Sequence, residues 1–442
     1  MPAPSDHRSP RPGAPRAPRA ARLTAIGITL AALVLSSCGG LSTTGQVLNG
    51  NSQRAQPERE FLPGAVDATN TFGADLFRVL ATEPGNLVLA PPAIIGALGM
   101  ARAGSAGTTR QAFDTVLHAT LTPNLDGGLN ALSQALAPRT GDKRSDTRRG
   151  RVDLRLPASI WGQRGTHVKE ELLDLLAADY GTGFRVADFH ADADGSREVV
   201  NNWADDATDG AIKELVPRGE ITQYSRFLGA AAANMRAPWQ VPFDSARTRQ
   251  GAFQRPDGQP GEARMMETTS DAFRTARGDG WEAVELPYLG DELALDVIVP
   301  TTTLAELEQS LSAQRLHELT VALDAAPHEA VAVSLPQFAF TTTHELQDPL
   351  TRLGLDVAFS RDADFSGVTS DEVLSLSHVA YEGFIKVDEE GTDPSPDTAT
   401  AQPTTGTTAG SRRVAVNQPF VFLVRDRPTG TIVMIGRVVT PS

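Results

Sequence analysis

The stretch that decides the fold reads Val387-Asp-Glu389-Glu390-Gly391-Thr392 and lies near the end of a 442-residue chain. A long apolar strand is predicted directly before it, over residues 374–387. Residues 391–411 then consist only of Thr, Ala, Gly, Pro, Ser, Asp and Gln, without helical or strand periodicity. Irregular segments of this length in a folded domain usually carry a function or link domains.

The last residues of the chain exclude a domain linker. Two strand-like stretches, residues 420–424 and 431–438, follow the irregular segment. They are too short to form a domain of their own, so they must pack back into the preceding body. Residues 391–411 are therefore predicted to form a displayed loop that is fixed at both ends.

The body before this loop changes character along its length. Helical patterns dominate its first half and strand patterns its second, which favours an α+β fold over an alternating α/β fold. The Ala-rich residues 227–233 carry no polar side chain and are predicted to form a central strand buried on both faces. Another strand, predicted over residues 330–340, contains Pro336, which indicates a sheet edge or a bulge.

The first residues are predicted to lie outside the folded body. Residues 1–22 carry five Arg against one Asp, and an apolar run over residues 23–35 follows. The run is shorter than the ~20 residues that span a bilayer, and the combination is typical of a bacterial export signal. Cys38 comes directly after it, among small residues, and this resembles the lipobox of bacterial lipoproteins.

We therefore predict a signal peptide over residues 1–37, a lipid on Cys38, a flexible tether over residues 38–60 and a folded body over residues 61–442. The expected location is outside the cytoplasmic membrane, attached to it through the lipid. Stable attachment requires two lipid signals, and acylation of the new amino terminus would supply the second. An incidental or buried Cys38 is the alternative.

Composition and motifs exclude several classes of protein. The formal charge of -14 changes to -18 once the five Arg and one Asp of the leader are removed, which argues against nucleic acid as a partner. A single cysteine excludes internal disulfides and metal sites built from several cysteines. The stretch from His190 to Gly195 resembles the start of an EF-hand loop, but His190 stands at its first position and Asn201 at its twelfth, and both positions need acidic ligands. We predict no cofactor, no metal site and no enzymatic activity.

Four groups of residues, taken in order along the chain, resemble the serpin family. Each group is weak alone, but together their order and spacing extend from about residue 61 to the end of the chain. The groups are Asn86-Leu-Val-Leu-Ala-Pro91 with Gly104-Ser-Ala-Gly107-Thr-Thr109; Val200-Asn201-Asn202-Trp203 with Thr208-Asp-Gly210-Ala-Ile212; Ala237-Pro238-Trp239 with Phe243, Val284-Glu-Leu-Pro-Tyr288 and Ile298-Val-Pro300; and residues 387–392 with Asn417-Gln-Pro419-Phe420 and Met434-Ile-Gly436-Arg437-Val438.

The resemblance implies a single α+β domain, built of three β-sheets with surrounding helices and an exposed reactive-centre loop. It also implies inhibition of serine-type endopeptidases by a monomeric protein. In that mechanism the peptidase cleaves the loop and forms an acyl-enzyme, and the loop then inserts into the main sheet before the acyl-enzyme is hydrolysed.

The resemblance assigns the hinge of the loop to Glu389, Glu390, Gly391 and Thr392. Family spacing places the cleaved bond near Thr405-Gly406 when counted from the hinge, and near Thr408 when counted back from the terminal strands. Small residues at both places suit a small, elastase-like specificity pocket. The implied partner is an extracytoplasmic serine peptidase of the elastase or subtilisin type.

Arg412-Arg413 offers an alternative target for a trypsin-like peptidase. Both arginines lie near the start of the strand that follows the loop, and we interpret them as solubilising charges.

The loop departs from the family pattern directly after the hinge. Pro394 and Pro396 occupy positions where family inhibitors have small residues, and proline has no N–H to donate to a sheet. Each buried carbonyl left without a donor costs about 1–3 kcal/mol. Insertion is therefore disfavoured, and a non-inhibitory serpin that acts as a binding module, scaffold or protease substrate is the alternative function.

The residues that the resemblance places at the sheet opening are also altered. The family usually has serines at the positions of Ala90 and Ala93 and a histidine at Tyr381, whereas Asn201 and Trp239 are retained. We predict Asn201, Trp239 and Tyr381 as the sheet-opening residues, with an ordinary core aromatic as the alternative for Trp239.

Overall fold

The computed structural model describes residues 44–393 and 411–441. The strands in these residues are β1 (Gln46–Leu48), β2 (Leu87–Leu89), β3 (Gly141–Arg144), β4 (Arg149–Arg155), β5 (Ala158–Gln163), β6 (Phe184–Ala187), β7 (Phe227–Pro238), β8 (Arg249–Gln254), β9 (Pro260–Ser270), β10 (Arg274–Gly278), β11 (Trp281–Pro287), β12 (Leu293–Pro300), β13 (Val331–Pro336), β14 (Phe338–Glu345), β15 (Leu376–Val387), β16 (Gly391–Thr392), β17 (Arg412–Ala415), β18 (Phe420–Asp426) and β19 (Thr431–Val438). The α-helices are α1 (Leu62–Leu80), α2 (Pro91–Ala103), α3 (Gly107–Val116), α4 (Leu125–Leu136), α5 (Glu170–Leu175), α6 (Ala193–Ala207), α7 (Leu304–Ser310), α8 (Ala313–Ala325), α9 (Gln347–Leu350) and α10 (Asp356–Phe359).

Several predicted features lie outside the described residues. They are the signal peptide, Cys38, Pro394, Pro396 and the candidate cleavage positions Thr405, Gly406 and Thr408.

Three sheets organise the described part of the chain. The largest has the strand order β1-β6-β5-β7-β16-β15-β14, with β3 and β4 joined to it through β7. The second has the order β10-β11-β12-β18-β19-β2, and the third β17-β13-β9-β8. The expected α+β fold with three sheets is confirmed, and the terminal strands β18 and β19 do pack back into the body.

Strand β7 lies at the centre of the main sheet and is buried along nearly its whole length. This confirms the strand predicted from the Ala-rich residues 227–233, since small side chains allow other elements to pack closely on both faces. Along most of their length β7 and β15 pair in parallel, from Leu376 opposite Phe227 to Gly383 opposite Ala233. The register of this pair determines where a further strand can enter.

Pro336 marks a change of sheet. The single strand predicted over residues 330–340 is divided between β13, in the third sheet, and β14, in the main sheet. β13 lies between β17 and β9, but its pairing with β17 ends at Ser334, so Pro336 has a paired neighbour only in β9 and lies at a local edge, as predicted. Pro336 is the last residue of β13, and its missing N–H falls where the pairing with β17 has already ended.

The described part of the predicted tether, from Thr44 onward, is packed against the body. Residues Gln46–Leu48 form an antiparallel pair with β6. The Arg54 guanidinium donates to Asn130 Oδ1 at 2.8 Å and to Ser133 Oγ at 2.6 Å. The prediction of a flexible tether is therefore wrong for these residues. An edge strand of three residues, held through its backbone, leaves no apolar periodicity in the sequence.

Among residues 44–393 and 411–441, none of the helices combines the length and hydrophobicity needed to cross a bilayer.

Candidate functional site at the loop hinge

The hinge enters the main sheet as the short strand β16, between β7 and β15. Gly391 pairs with Pro238 and Thr392 with Ala237, while Thr392 also pairs with Val387. A Cβ atom on Gly391 would lie 2.1 Å from the Ala237 carbonyl oxygen, so a larger residue does not fit. The predicted loop of residues 391–411 thus begins with two residues that already belong to the sheet.

Thr392 is fully buried and connects β16 to the second sheet. Its hydroxyl lies 2.6 Å from the Tyr288 hydroxyl, and the Tyr288 ring stacks on Trp239 with centroids 4.5 Å apart. Burial raises the pKa of Tyr288, which keeps the phenol neutral and able to donate. Tyr288 belongs to one of the motifs quoted above, but sequence reasoning gave it no role at the hinge.

Trp239 stabilises the turn before β16 through two hydrogen bonds. Its indole N–H donates to the Asp388 carbonyl at 2.9 Å, and its backbone N–H donates to the Glu390 carbonyl at 2.9 Å. The Trp239 side chain is buried. It is therefore a core aromatic and a hinge contact at the same time, and the two interpretations of this residue are not exclusive.

Glu389 ties the hinge to two neighbouring segments. One carboxylate oxygen accepts from the Thr248 hydroxyl at 2.6 Å, and the other accepts from Gln337 Nε2 at 2.5 Å. Its carbonyl accepts from the Phe243 N–H at 2.9 Å. Each oxygen of this carboxylate thus accepts a hydrogen bond while the loop is in its uncleaved position.

Glu390 forms an ion pair with Arg148, whose side chain is fully buried. The Arg148 guanidinium also donates to the Trp239 carbonyl at 2.5 Å. Burial lowers the pKa of Arg148, while the charge of Glu390 acts in the opposite direction. Arg148 lies in a charged stretch between β3 and β4, where the sequence pattern indicates an exposed turn, so it was missed.

The chain leaves the sheet at Asp393. This residue has a positive φ of 38°, its N–H donates to the Lys386 carbonyl at 2.8 Å, and its carboxylate lies 3.1 Å from Arg236. Arg236 also contacts Asp209, at 2.7 Å. The first residue after β16 is therefore still in register with β15.

The three predicted sheet-opening residues do not form one cluster. Asn201 lies in α6, where its side-chain amide exchanges hydrogen bonds with the Val216 backbone at 3.0 and 2.8 Å. Tyr381 lies in the middle of β15, fully buried, and its hydroxyl approaches the Ala90 backbone without a well-aligned hydrogen bond. Of the three, Trp239 makes the contacts with the hinge described above.

The other end of the loop is also held in a sheet. Arg412 pairs with Val331 in the parallel pair of β17 and β13, and its guanidinium lies 2.9 Å from Glu282 and 3.4 Å from Glu329. These contacts give Arg412 a structural role instead of the solubilising one that was predicted, whereas Arg413 is exposed, as a solubilising charge would be.

Comparisons with known proteins agree with this architecture. Residues 67–441 match the family profile described as "Serpin (serine protease inhibitor)". An uncharacterized serpin-like protein of Thermococcus kodakarensis is 31% identical over 381 residues, which cover 85% of this chain and 86% of the relative. The leukocyte elastase inhibitor of Sus scrofa is 27% identical over 386 residues, covering 85% and 99%.

Solved structures show the same fold. The thermophilic serpin tengpin in its native state matches with a TM-score of 0.75 at 22% identity, over 89% of this chain and 97% of the other. Uncleaved ovalbumin matches with a TM-score of 0.74 at 22% identity, over 86% and 100%.

Proposed function

Because the chain belongs to the serpin family, we propose that it inhibits serine-type endopeptidases outside the cytoplasmic membrane by cleavage and insertion of its loop. One observation carries this proposal. The loop starts from a strand that already lies between β7 and β15, in register with both. A cleaved loop can extend this strand without changing register.

The register defines the inserted strand residue by residue. The N–H of Trp239 donates to the Glu390 carbonyl, so even-numbered residues of the extension bond to β7, because antiparallel partners exchange bonds at every second residue. The N–H of Asp393 donates to Lys386, so odd-numbered residues bond to β15. Side chains alternate in the same way, and Asp393, Ser395 and Asp397 would lie on the face opposite Thr392.

The same register identifies the cost of the two prolines. Residues 394 and 396 would lie opposite Met235 and Ala233, and an N–H at each position would donate to those carbonyls. Pro394 and Pro396 have none to donate, which leaves two carbonyls of a buried strand without donors, at about 1–3 kcal/mol each. Insertion is slowed but not excluded, since the other residues of the extension keep their bonds.

The residues around the candidate cleavage site indicate which type of peptidase would cut the loop. Thr405, Gly406 and Thr408 offer small side chains, which a shallow specificity pocket accepts. The similarity to a relative named leukocyte elastase inhibitor supports an elastase-type target. A subtilisin-type peptidase outside the cell is the other candidate of this class.

The proposal is tested by incubating the protein with elastase and with subtilisin. We expect a covalent complex that survives SDS, together with cleavage at Thr405-Gly406 or at Thr408, mapped by mass spectrometry of the released fragment. A peptidase with its catalytic serine replaced by alanine is the control and must give no complex. Quantitative loop cleavage without any complex would overturn inhibition.

A non-inhibitory role as binding module, scaffold or protease substrate is the second candidate. The two orphaned carbonyls on β7 favour it, because inhibition requires insertion to outpace hydrolysis of the acyl-enzyme. Clean cleavage near Thr405, with no covalent complex at any ratio of protein to peptidase, is the result that this function predicts.

We also propose that Cys38 carries a lipid and holds the protein at the outer side of the membrane. The basic leader, the apolar run and the small residues around Cys38 support this. Mass spectrometry of the mature amino terminus is expected to find diacylglycerol on Cys38, and Cys38→Ala is expected to release the protein from the membrane fraction. A wild-type protein without lipid would refute the anchor.

A further inference from the structure

A histidine and two glutamates from three separate segments converge at the end of the main sheet remote from the hinge. Glu220 lies in the connection between α6 and β7, Glu345 ends β14, and His378 lies near the start of β15. His378 Nδ1 is 3.4 Å from Glu345 Oε2 and 3.9 Å from Glu220 Oε2. One ligand atom from each residue lies within 4.8 Å of the others.

These separations suit a small divalent ion. Ligand atoms about 2.0–2.2 Å from a tetrahedral zinc ion stand roughly 3.3–3.5 Å apart. The distance between His378 and Glu345 already has this value, and Glu220 must approach His378 by about 0.5 Å and stay within 4.8 Å of Glu345. Three protein ligands with a fourth position for water are a common arrangement for zinc.

The glutamate on β14 is oriented by its own hydrogen bonds. Glu345 Oε1 accepts from the backbone N–H groups of Gln347 at 3.0 Å and Val379 at 3.1 Å. These bonds leave Oε2 directed toward His378. Fixing a carboxylate through its second oxygen is how outer contacts position metal ligands.

The imidazole of His378 completes this group of three side chains. Its Nδ1 atom is buried and has no hydrogen-bond partner in the described part of the chain, although it faces two carboxylates. The pairing of β15 with β7 shifts register between Leu376 and His378, and such bulges redirect a side chain. A small cavity of about 180 Å³, lined partly by Leu215, Ile221 and Leu228, adjoins the imidazole and leaves room for an ion.

We propose that Glu220, Glu345 and His378 bind a divalent transition-metal ion of the Zn²⁺ type. Imidazole nitrogen together with carboxylate oxygen selects such an ion over Mg²⁺ or Ca²⁺, which prefer oxygen ligands alone. The sequence predicted no metal site, because the three ligands are 33 or more residues apart along the chain and share no motif.

The bound ion would connect the two sides of the sheet that loop insertion separates. Glu220 belongs to the segment that leads into β7, whereas Glu345 and His378 belong to β14 and β15. Continuing the register of β16 places Ala401 between Leu228 and His378, so complete insertion must part this pair. The ion is therefore expected to slow insertion, a consequence that rests on the proposed inhibitory function.

The site is tested by titrating the full chain with ZnCl₂ in a calorimeter and by following the thermal midpoint. We expect one site whose affinity falls by about 100-fold or more in His378→Ala and Glu220→Gln, as loss of one of three ligands requires. Glu220 is nearly half exposed, so Glu220→Gln keeps the fold. His317→Ala, at an exposed histidine, is the matched control and must bind as the wild type does.

The results separate this site from other ligands in the chain. Equal zinc affinity in wild type, His378→Ala and Glu220→Gln would overturn the proposal and assign the binding to other groups such as the Cys38 thiol. Binding of Mg²⁺ as tight as that of Zn²⁺ would also overturn it.

The consequence for insertion has a test of its own. We expect Zn²⁺ to slow formation of the covalent complex in wild type but not in Glu220→Gln. An equal rate with and without Zn²⁺ in a protein that binds the ion would overturn the link to insertion. Zinc binding without any covalent complex would refute the inhibitory function and leave the metal site standing.

Discussion

At the scale of single residues, the hinge depends on side chains that are buried and paired. Thr392 is bonded to Tyr288 in the core, and Gly391 leaves no room for a Cβ atom beside Ala237. Arg148, which forms an ion pair with Glu390, carries a charge that has no access to water. A buried ion pair contributes little net stability, but removal of one partner is costly.

Glu390→Gln is expected to destabilise the protein by about 1–3 kcal/mol, because Arg148 would lose its charged partner while staying buried. Urea denaturation measures this free energy. Glu262→Gln, at an exposed position, is the control and should stay within about 0.5 kcal/mol of wild type. Equal stability of the two variants would contradict the role assigned to Arg148.

Glu382 predicts a pH dependence of stability. Burial in β15 raises its pKa to about 7, from an ordinary value of 4.5, although the Thr343 hydroxyl donates to it. The folded state therefore binds a proton that the unfolded state has released, and stability falls as the pH rises from about 4.5 to about 7. Above that range no further loss is expected from this group.

Glu382→Gln should remove this loss. The variant is expected to exceed wild type by about 1–3 kcal/mol at pH 8, with the difference vanishing toward pH 4. Urea denaturation of both proteins at several pH values measures the difference in their free energy of unfolding. Other titrating groups, such as Asp296, contribute equally to both proteins and cancel in this difference. A difference that does not change with pH would show that Glu382 titrates normally.

At the scale of elements, the relation between β7, β15 and β16 decides what the loop can do. β16 separates β7 from β15 at one end of the main sheet, while the two strands pair with each other beyond it. The sheet is thus already parted at the hinge end. Extending β16 replaces the pairing of two parallel strands with two antiparallel pairings, which are slightly more stable per residue.

Replacing both prolines, in Pro394→Ala/Pro396→Ala, is expected to speed insertion, because the carbonyls of Met235 and Ala233 regain donors. The rate of covalent complex formation with elastase should rise, and cleaved but uncomplexed protein should decrease. Pro403→Ala is the control for loop stiffness alone. If Pro403→Ala accelerates the reaction equally, flexibility and not hydrogen bonding explains the effect.

At the scale of the whole molecule, cleavage of the loop is expected to let β7 and β15 separate along the rest of their length. The loop is held at one end by β16 and at the other by β17, in different sheets. As long as the loop is intact, its two ends limit how far it can enter the main sheet. Cleavage removes this limit and allows the strand to extend.

Cleavage of the loop should therefore raise the melting temperature of the molecule. We expect a rise of about 10 °C or more, since each added kcal/mol shifts the midpoint of a domain of this size by roughly 1–2 °C. Calorimetry before and after limited elastase treatment measures it, with elastase blocked at its catalytic serine as the control. An unchanged midpoint would mean that the prolines prevent insertion, in favour of the non-inhibitory role.

Local patterns in the sequence were sufficient to determine the α+β class, the buried strand β7 and the return of β18 and β19 to the body. Each of these depends on a run of neighbouring residues: small apolar side chains in β7, and apolar runs at the chain end. Hydrophobic burial and backbone pairing act on such runs wherever they occur.

Only the tertiary structure decided how distant residues meet. It placed Arg148 under Glu390, divided the strand at Pro336 between two sheets, incorporated residues 46–48 into the main sheet, and brought Glu220, Glu345 and His378 together. In each case the partners are far apart in the chain, and a single polar side chain or a three-residue edge strand has no periodicity of its own. Their roles follow from burial and distance, which only the folded chain defines.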